Sequence, residues 1–194
     1  MSTITSRKKS ANEIDTSQEL FGVTYSMPII LAPMATVVGL EMMKALKTVN
    51  GAAVLPRTNN FEEEYFLAKT LISQGYDRDR LIVSIPATNG PVEILERYRD
   101  LGINRFCIDV ANGYSDLVIN LLHTLNNKPY RKDIYLMTGN VASVDGYAEL
   151  SEAGSDAVRV GIGGGSVCST SIATGVGVGQ ATLVRDIAIA KVEY

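Results

Sequence analysis

The stretch RLIVSIPATNGPVEILERYRDLGINRFCIDV (residues 80–110) carries the pattern that decides the fold. Its two ends, RLIVSIP and NRFCIDV, are short apolar runs bounded by charged residues, proline or asparagine, which is typical of buried parallel strands. The segment between them, 91–101, is a helix candidate that begins at Pro91, and proline is favoured at the first helical position. The stretch therefore predicts a strand, a helix and a second strand.

The same unit repeats along the chain. Six apolar runs begin about 25 residues apart, at 27–34, 51–56, 80–86, 104–110, 133–139 and 155–161. Helix candidates follow them near 38–48, 61–74, 91–101, 115–126, 143–153 and 180–192. Strict alternation of this kind predicts an α/β protein with a parallel sheet covered by helices. A doubly wound sheet and a (β/α)8 barrel both have this pattern, and six strands would complete only the former.

Composition narrows the function classes. The 194 residues carry 18 Lys and Arg against 21 Asp and Glu, a formal charge of −3, which is not the electrostatic signature of a nucleic-acid or anionic-membrane partner. The polar, basic residues 1–10 lack the apolar core of a secretory signal, and two cysteines make no disulfide framework. We expect a cytoplasmic protein with a flexible segment over 1–20 and one domain over 21–194.

Glycine is concentrated in GIGGGSVCSTSIATGVGVG (161–179), which follows the sixth predicted strand and holds seven of the 17 glycines. Successive backbone amides in such a segment can bind an anion, and the Ser166 hydroxyl suits a phosphate monoester. Cys168 is a candidate nucleophile, because its thiolate would be stabilised by the same dipoles. The residues alone leave open a surface loop with an inert cysteine. Cys107 lies within a strand and is interpreted as a buried hydrophobe.

This segment closely resembles the catalytic loop of the IMP dehydrogenase/GMP reductase family, whose pattern is GIGPGSVCTTR-x-x-TGVG-x-PQ. IDVANGYS (108–115) resembles the family's fourth-strand cofactor motif, in wording closer to GMP reductase, and TGNVAS (138–143) resembles its fifth-strand segment. MPIILAPMATV (27–37) resembles the first-strand segment that holds the nucleotide. The resemblance runs from about residue 20 to the end of the chain. It implies a TIM (β/α)8-type barrel, incomplete, with about six of its eight units present.

The activity that this resemblance implies is that of a GMP reductase. In such an enzyme Cys168 would attack C2 of GMP, ammonia would leave, and NADPH would reduce the covalent Cys168–purine intermediate to release IMP. One alternative is an IMP dehydrogenase, which oxidises IMP to XMP with NAD. Another is a non-catalytic purine-nucleotide-binding fragment or a subunit of a split enzyme.

The resemblance also implies roles for residues that would touch the substrate. Thr170 would assist proton transfer next to the nucleophile, and Gly165 and Ser166 would hold the 5′-phosphate. Met34 and Asn140 would contact the nucleotide. Considered one by one and without the resemblance, the residues favour simpler roles: Met34 as a core-filling residue and Asn140 as a residue that shapes its loop.

Cofactor and cation positions are implied in the same way. Asp109 would bind the ribose of NADPH, with Asn112 and Gly113 near the nicotinamide. A monovalent cation, K⁺, would be bound by backbone carbonyls of Gly163, Gly165 and Cys168. On the residues alone, Asp109 is also a candidate helix cap, and Asn112-Gly113 a simple turn.

The sequence departs from the family pattern in the loop and at the end of the chain. Gly164 stands where the loop pattern has proline, which predicts a more mobile loop. The family's seventh and eighth strands carry further phosphate-binding glycines, and a mobile flap and a catalytic glutamate lie beyond them. The sequence ends at Tyr194, before those segments. We therefore expect a partner, either in a homo-oligomer, such as a tetramer, or as a complementary C-terminal fragment.

Overall fold

The computed structural model of this protein describes residues 10–165 and 168–193. In these ranges the strands are β1 (Gln18–Leu20), β2 (Val23–Tyr25), β3 (Ile30–Leu31), β4 (Ala52–Leu55), β5 (Ile82–Ile85), β6 (Arg105–Asp109), β7 (Tyr135–Val141) and β8 (Ala157–Val160). The helices are α1 (Leu40–Thr48), α2 (Phe61–Ser73), α3 (Pro91–Asp100), α4 (Asp116–Asn126), α5 (Val144–Glu152), α6 (Thr170–Thr174) and α7 (Gln180–Glu193).

Strands β3 to β8 form one parallel sheet in chain order, with a helix after each of them. Each strand pairs with the next one along the chain, which confirms the predicted incomplete (β/α)8 barrel. Strands β3 and β8 form the edges. The first predicted strand, 27–34, shrinks to two residues, because Pro28 and Pro33 flank it and donate no backbone hydrogen bond.

Local signals set the helix starts. The Asn60 side chain accepts a hydrogen bond from the Glu62 amide at 3.1 Å and caps α2, and Ser143 caps α5 through the Gly146 amide at 3.1 Å. Pro91 opens α3, as predicted. Helix α6 lies within the glycine-rich segment 161–179, for which the sequence predicts only a loop. Across the described ranges, every helix falls short of the length and apolarity that a membrane crossing requires.

The sheet separates two apolar layers. Successive strand residues point to opposite faces, so Val83, Phe106 and Leu136 pack under the helices. Their sequence neighbours, Ile82, Cys107 and Met137, form an inner cluster with Phe21 and Val54. Burial of both faces explains why each strand is a continuous apolar run.

The hairpin of β1 and β2 covers one end of the inner face. Phe21, in the turn, enters the inner cluster and stacks on Tyr135 with ring centres 5.0 Å apart. Arg105 Nη2 donates to the Phe21 carbonyl at 2.8 Å, and its Nη1 lies 2.6 Å from Asp79. The boundary predicted between residues 20 and 21 falls inside this hairpin, with β1 before it and β2 after it. The two strands of the hairpin have three residues each, which is too few to show the alternation of polar and apolar residues by which a strand is recognised in a sequence.

The rest of the inner face is open. A cavity of about 380 Å³ lies over it, between Leu20 of the hairpin, Ile30 of β3 and Val158 of β8. In a complete barrel this space is filled by layers of side chains from all eight strands. The six-stranded sheet therefore presents an unfilled interior between its two edge strands.

Candidate functional site

The carboxyl ends of the strands meet in a cleft of about 580 Å³. Loops that follow β3, β6, β7 and β8 form its walls, as expected for the functional face of a parallel α/β fold. Six of the predicted site residues line it: Met34, Asp109, Asn140, Gly163, Cys168 and Thr170. Of the other predicted residues that the structure describes, Asn112, Gly113 and Gly165 lie outside this lining. Ser166 lies outside the described residues.

Cys168 lies directly before α6, in the loop from β8. Hydrogen bonding from the Thr170 hydroxyl, followed by that from the Thr170 amide, lowers the pKa of the Cys168 thiol. The amides of Ser171 and Gly163 act in the same direction. The Cys168 amide donates to the Gly165 carbonyl at 3.0 Å. The geometry therefore favours the thiolate form of a partly exposed Cys168 that lines the cleft.

Cys107 has the opposite environment. It lies in β6 with no exposed surface, and burial raises the pKa of its thiol to about 11. At neutral pH it is an uncharged, packed side chain. This confirms its interpretation as a buried hydrophobe and leaves Cys168 as the reactive one of the two thiols.

The glycines of the loop allow close packing against α6 and α7. Gly161 has φ +112°. A β-carbon on Gly161 would overlap the side chain of Gln180. The Gln180 amide Nε2 donates to the Val160 carbonyl at 3.0 Å, so the first residue of α7 fastens the end of β8. At Gly163, with φ +78°, a β-carbon would lie 2.8 Å from that of Ser171.

Asn140 connects three loops of the cleft. Its side-chain Nδ2 donates to the Gly161 carbonyl at 2.7 Å, and its backbone carbonyl accepts from the Gly113 amide at 2.7 Å. Asn140 therefore shapes these loops, which is the role that it is given when the family resemblance is set aside. It also lines the cleft. Gly113 is a close-approach position, since a β-carbon there would lie 3.0 Å from the Gly139 Cα. Asn112 accepts from the Tyr114 amide at 3.2 Å in a local turn.

Asp109 ends β6 and forms an ion pair with Arg159 of β8 across the cleft floor. The same Arg159 Nη1 lies 3.6 Å from the Cys107 sulfur. The Asp109 side chain keeps a third of its surface exposed. Asp109 is thus anchored by a cation from another strand. Asp109 does not cap α4, because the N-cap position of that helix is Ser115, whose side chain makes no capping hydrogen bond.

Met34 is a surface residue of the cleft, with 54% of its area exposed. The core-filling alternative is therefore wrong for this methionine. Its amide donates to Ala32 at 2.7 Å and its carbonyl accepts from Val37 and Val38 at 2.8 Å, so a tight turn holds it.

Three further residues of the site come from the structure and not from the sequence. Arg159 is a lone cation at a strand position surrounded by apolar residues, and that contrast was its signal. Gln180 is the final residue of the quoted loop pattern. Arg57, which follows β4 and lines the cleft, had no signal beyond its place after a strand.

Comparisons with known proteins match this chain to one family. The family model described as IMP dehydrogenase / GMP reductase domain matches residues 3–194. The GMP reductase of Buchnera aphidicola subsp. Acyrthosiphon pisum is 34% identical over 165 residues, 84% of this chain and 46% of that protein.

Two further relatives carry the same name. The GMP reductase of Bacillus licheniformis is 32% identical over 171 residues, 88% of this chain and 51% of that protein. The GMP reductase of Ligilactobacillus salivarius is 29% identical over 183 residues, 94% of this chain and 55% of that protein. The chain spans about half the length of the curated relatives it matches.

Proposed function

This chain belongs to the IMP dehydrogenase/GMP reductase family, and from that membership we propose that it supplies the nucleophile and half of the nucleotide site for reductive deamination of GMP. The observation that carries the proposal is Cys168, a partly exposed thiol with a lowered pKa in a glycine-rich loop at the carboxyl ends of the strands. The relatives named GMP reductase favour this activity over IMP dehydrogenation.

The chemistry starts at the Cys168 thiolate. The sulfur bonds to C2 of the purine, the C2–N bond to the exocyclic amine breaks, and ammonia leaves after it takes up a proton. The Thr170 hydroxyl acts on the Cys168 thiol and lowers its pKa, and in this proposal it would relay that proton from solvent to the departing amine. Hydride addition at C2, followed by cleavage of the C–S bond, releases IMP and restores the thiolate.

The cofactor we propose is NADPH, which supplies the hydride when bound. The residues present fit it, because Asp109 keeps exposed carboxylate surface toward the cleft while Arg159 fixes its orientation. The Asp109 carboxylate would accept a hydrogen bond from a ribose hydroxyl. Gly113 leaves the loop after β6 free of a side chain where the nicotinamide would approach. Asn112 would lie beside it.

The nucleotide would lie along the cleft. Met34 and Asn140 would contact the purine from two sides, and the amides at Gly165 and Ser166 would hold the 5′-phosphate. K⁺ would bind the carbonyls of Gly163, Gly165 and Cys168; the Gly165 carbonyl already accepts from the Cys168 amide and has a second lone pair.

A binding role within a larger assembly is the second candidate function. The open interior between β3 and β8 supports a partner that packs against this face of the sheet. A second copy of this chain or a complementary C-terminal fragment would supply it. In that case the chain binds a purine monophosphate without turnover on its own.

The deciding experiment measures turnover and binding in parallel. The chain is incubated with GMP and NADPH, and IMP and ammonia are quantified, with GMP affinity determined by calorimetry. We expect IMP formation that Cys168→Ser abolishes while GMP binding persists. NADH formed from IMP and NAD⁺ would instead identify an IMP dehydrogenase. GMP binding without turnover, unchanged in Cys168→Ser, would support the binding role, and no binding of GMP or IMP would refute both.

A further inference from the structure

Gln180 contacts the loop that carries Cys168 without reaching the cleft itself. It is the first residue of α7, its side chain is exposed, and it lies outside the set of described residues that line the cleft. Its carboxamide lies instead against the start of the loop that follows β8. A side chain in this place can affect chemistry in the cleft only through the loop.

The carboxamide of Gln180 contacts the chain at three points. Its Nε2 donates to the carbonyl of Val160, the last residue of β8, at 3.0 Å. It also occupies the space that a side chain on Gly161 would need, since a β-carbon there would overlap Oε1. A β-carbon on Gly164 would lie 3.5 Å from the same Oε1. One side chain therefore spans the stretch from the end of β8 to Gly164.

The same stretch is held by two other parts of the fold. The Gly161 amide donates to the Val141 carbonyl at 2.8 Å, and the Gly161 carbonyl accepts from Asn140 Nδ2 at 2.7 Å. The Ile162 carbonyl accepts from the Val178 amide at 3.1 Å. The start of the loop is therefore fixed between β7 and the segment that leads into α7.

This fixed stretch leads directly to groups that act on the nucleophile. Thr170 has the largest effect in lowering the pKa of the Cys168 thiol, and the Gly163 amide acts in the same direction. Gly163 also packs closely on α6, where a β-carbon on it would lie 2.8 Å from the Ser171 Cβ. A displacement of the loop start would therefore move Gly163 relative to α6, and with it the surroundings of the sulfur.

We propose that Gln180 is a positioning residue for the Cys168 nucleophile. By holding Val160 and Gly161, it sets the loop at the separation from α6 at which the hydroxyl and amide donors act on the sulfur. The inference rests on the proposed function, because it takes Cys168 as the nucleophile of GMP reduction. A purely structural glutamine would add to the stability of the fold and leave the reactivity of this thiol unchanged.

Alkylation and turnover of the full chain test the role of Gln180. Gln180→Met keeps a side chain of similar length and removes the hydrogen bond to Val160. We expect the pH midpoint of Cys168 alkylation by iodoacetamide to rise, because the donors that favour the thiolate lose their alignment. The kcat for GMP reduction should fall by about 10- to 100-fold, since a displacement of about 1 Å at a reacting group can cost that much.

A second variant and a matched control assign the effect. Gln180→Glu keeps the size of the side chain, but its carboxylate cannot donate to a carbonyl, so the midpoint should rise as in Gln180→Met. Gln74→Met makes the same replacement at an exposed glutamine that follows α2, and it should change neither the midpoint nor kcat.

The proposal is overturned by an unchanged midpoint in either variant of Gln180, even where Tm falls, or by an equal rise in Gln74→Met. Alkylation needs no substrate. An unchanged chain that shows no turnover would therefore refute the proposed function, while the alkylation midpoints would still decide whether Gln180 positions the thiol.

Discussion

At the scale of single residues, the two cysteines lie in opposite environments. Cys107 has no exposed surface, and burial raises the pKa of its thiol, whereas hydrogen bonds from Thr170 lower the pKa of Cys168. The sequence alone suggested this contrast, because one cysteine lies in an apolar strand and the other in a glycine-rich loop. The resemblance also places Thr170 beside the nucleophile, but its effect on the pKa of Cys168 depends on how α6 begins, which the sequence does not show.

The two thiols should differ in their alkylation by iodoacetamide. Because only the thiolate reacts, Cys168 should be alkylated with a pH midpoint below that of a free cysteine, and Cys107 should remain unmodified in the folded chain. Thr170→Val removes the hydroxyl donor and should move the Cys168 midpoint upward. Peptide mass spectrometry across pH measures both. Equal midpoints in the two proteins would refute the role of Thr170.

The Asp109–Arg159 ion pair should contribute measurably to stability. Replacing Arg159 with Met leaves a partly buried carboxylate without its cation, and the expected loss is about 1–2 kcal/mol, between the values for surface and buried pairs. Urea unfolding measures it. Arg185→Met, which breaks an exposed pair with Asp186, is the control and should leave stability unchanged. Equal effects of the two substitutions would show that Arg159 contributes no more than a surface cation.

At the scale of elements, the loop from β8 into α6 and α7 is held by backbone geometry that glycine alone satisfies. Gly161 has a positive φ and lies against Gln180, whereas Gly164 has room for a side chain and an ordinary backbone conformation. The glycines of one loop are therefore not equivalent, although composition treats them alike.

Substitution of these two glycines should separate their roles. Gly161→Ala combines a disfavoured φ with overlap against Gln180 and should cost about 1–3 kcal/mol. Gly164→Ala should change stability by no more than about 0.5 kcal/mol. Thermal unfolding compares them. A harmless Gly161→Ala would mean that the loop moves to accept the methyl group.

The hairpin of β1 and β2 should act as part of the core. Phe21→Ala removes a ring from the inner cluster and should cost about 3–5 kcal/mol, the usual range for a buried phenylalanine. Phe66→Ala, on the exposed face of α2, is the matched control and should cost no more than about 0.5 kcal/mol. Urea unfolding again measures both. Similar losses would place Phe21 outside the core.

Most elements were predictable because their signals are local. Pro91 starts a helix wherever the rest of the chain lies, and the runs around Ile82 and Phe106 are apolar on both faces. The hairpin and the Asp109–Arg159 pair were not predictable, because each joins parts of the chain that are far apart in sequence. For Asp109 the sequence gives a carboxylate at a strand end, but not the strand that supplies its cation.

At the scale of the whole molecule, the half-barrel leaves two parallel edges and an open interior. Edge strands present unpaired backbone groups, and exposed apolar residues beside them favour association. Ile29 and Ile30, at and beside β3, are 54% and 41% exposed. The face between β3 and β8 is therefore where we expect a partner.

The chain alone should therefore self-associate. Sedimentation should give a mass that rises with concentration. Ile30→Lys should lower that mass, because a charge on the edge strand opposes pairing. Ile189→Lys, which places the same charge on the exposed face of α7, should leave the mass unchanged. A monodisperse monomer that unfolds cooperatively would rule out the need for a partner.

The stacking of Phe21 on Tyr135 also bears on the order of folding. The sheet pairs only consecutive strands, so each βα unit can dock on the one before it with a short sequence separation. The hairpin is the exception, because Phe21 and Tyr135 are separated by more than 100 residues of chain. Closing so long a loop has a larger entropic cost. The stacking contact of the hairpin with Tyr135 should therefore form, during synthesis, only after β7 has emerged.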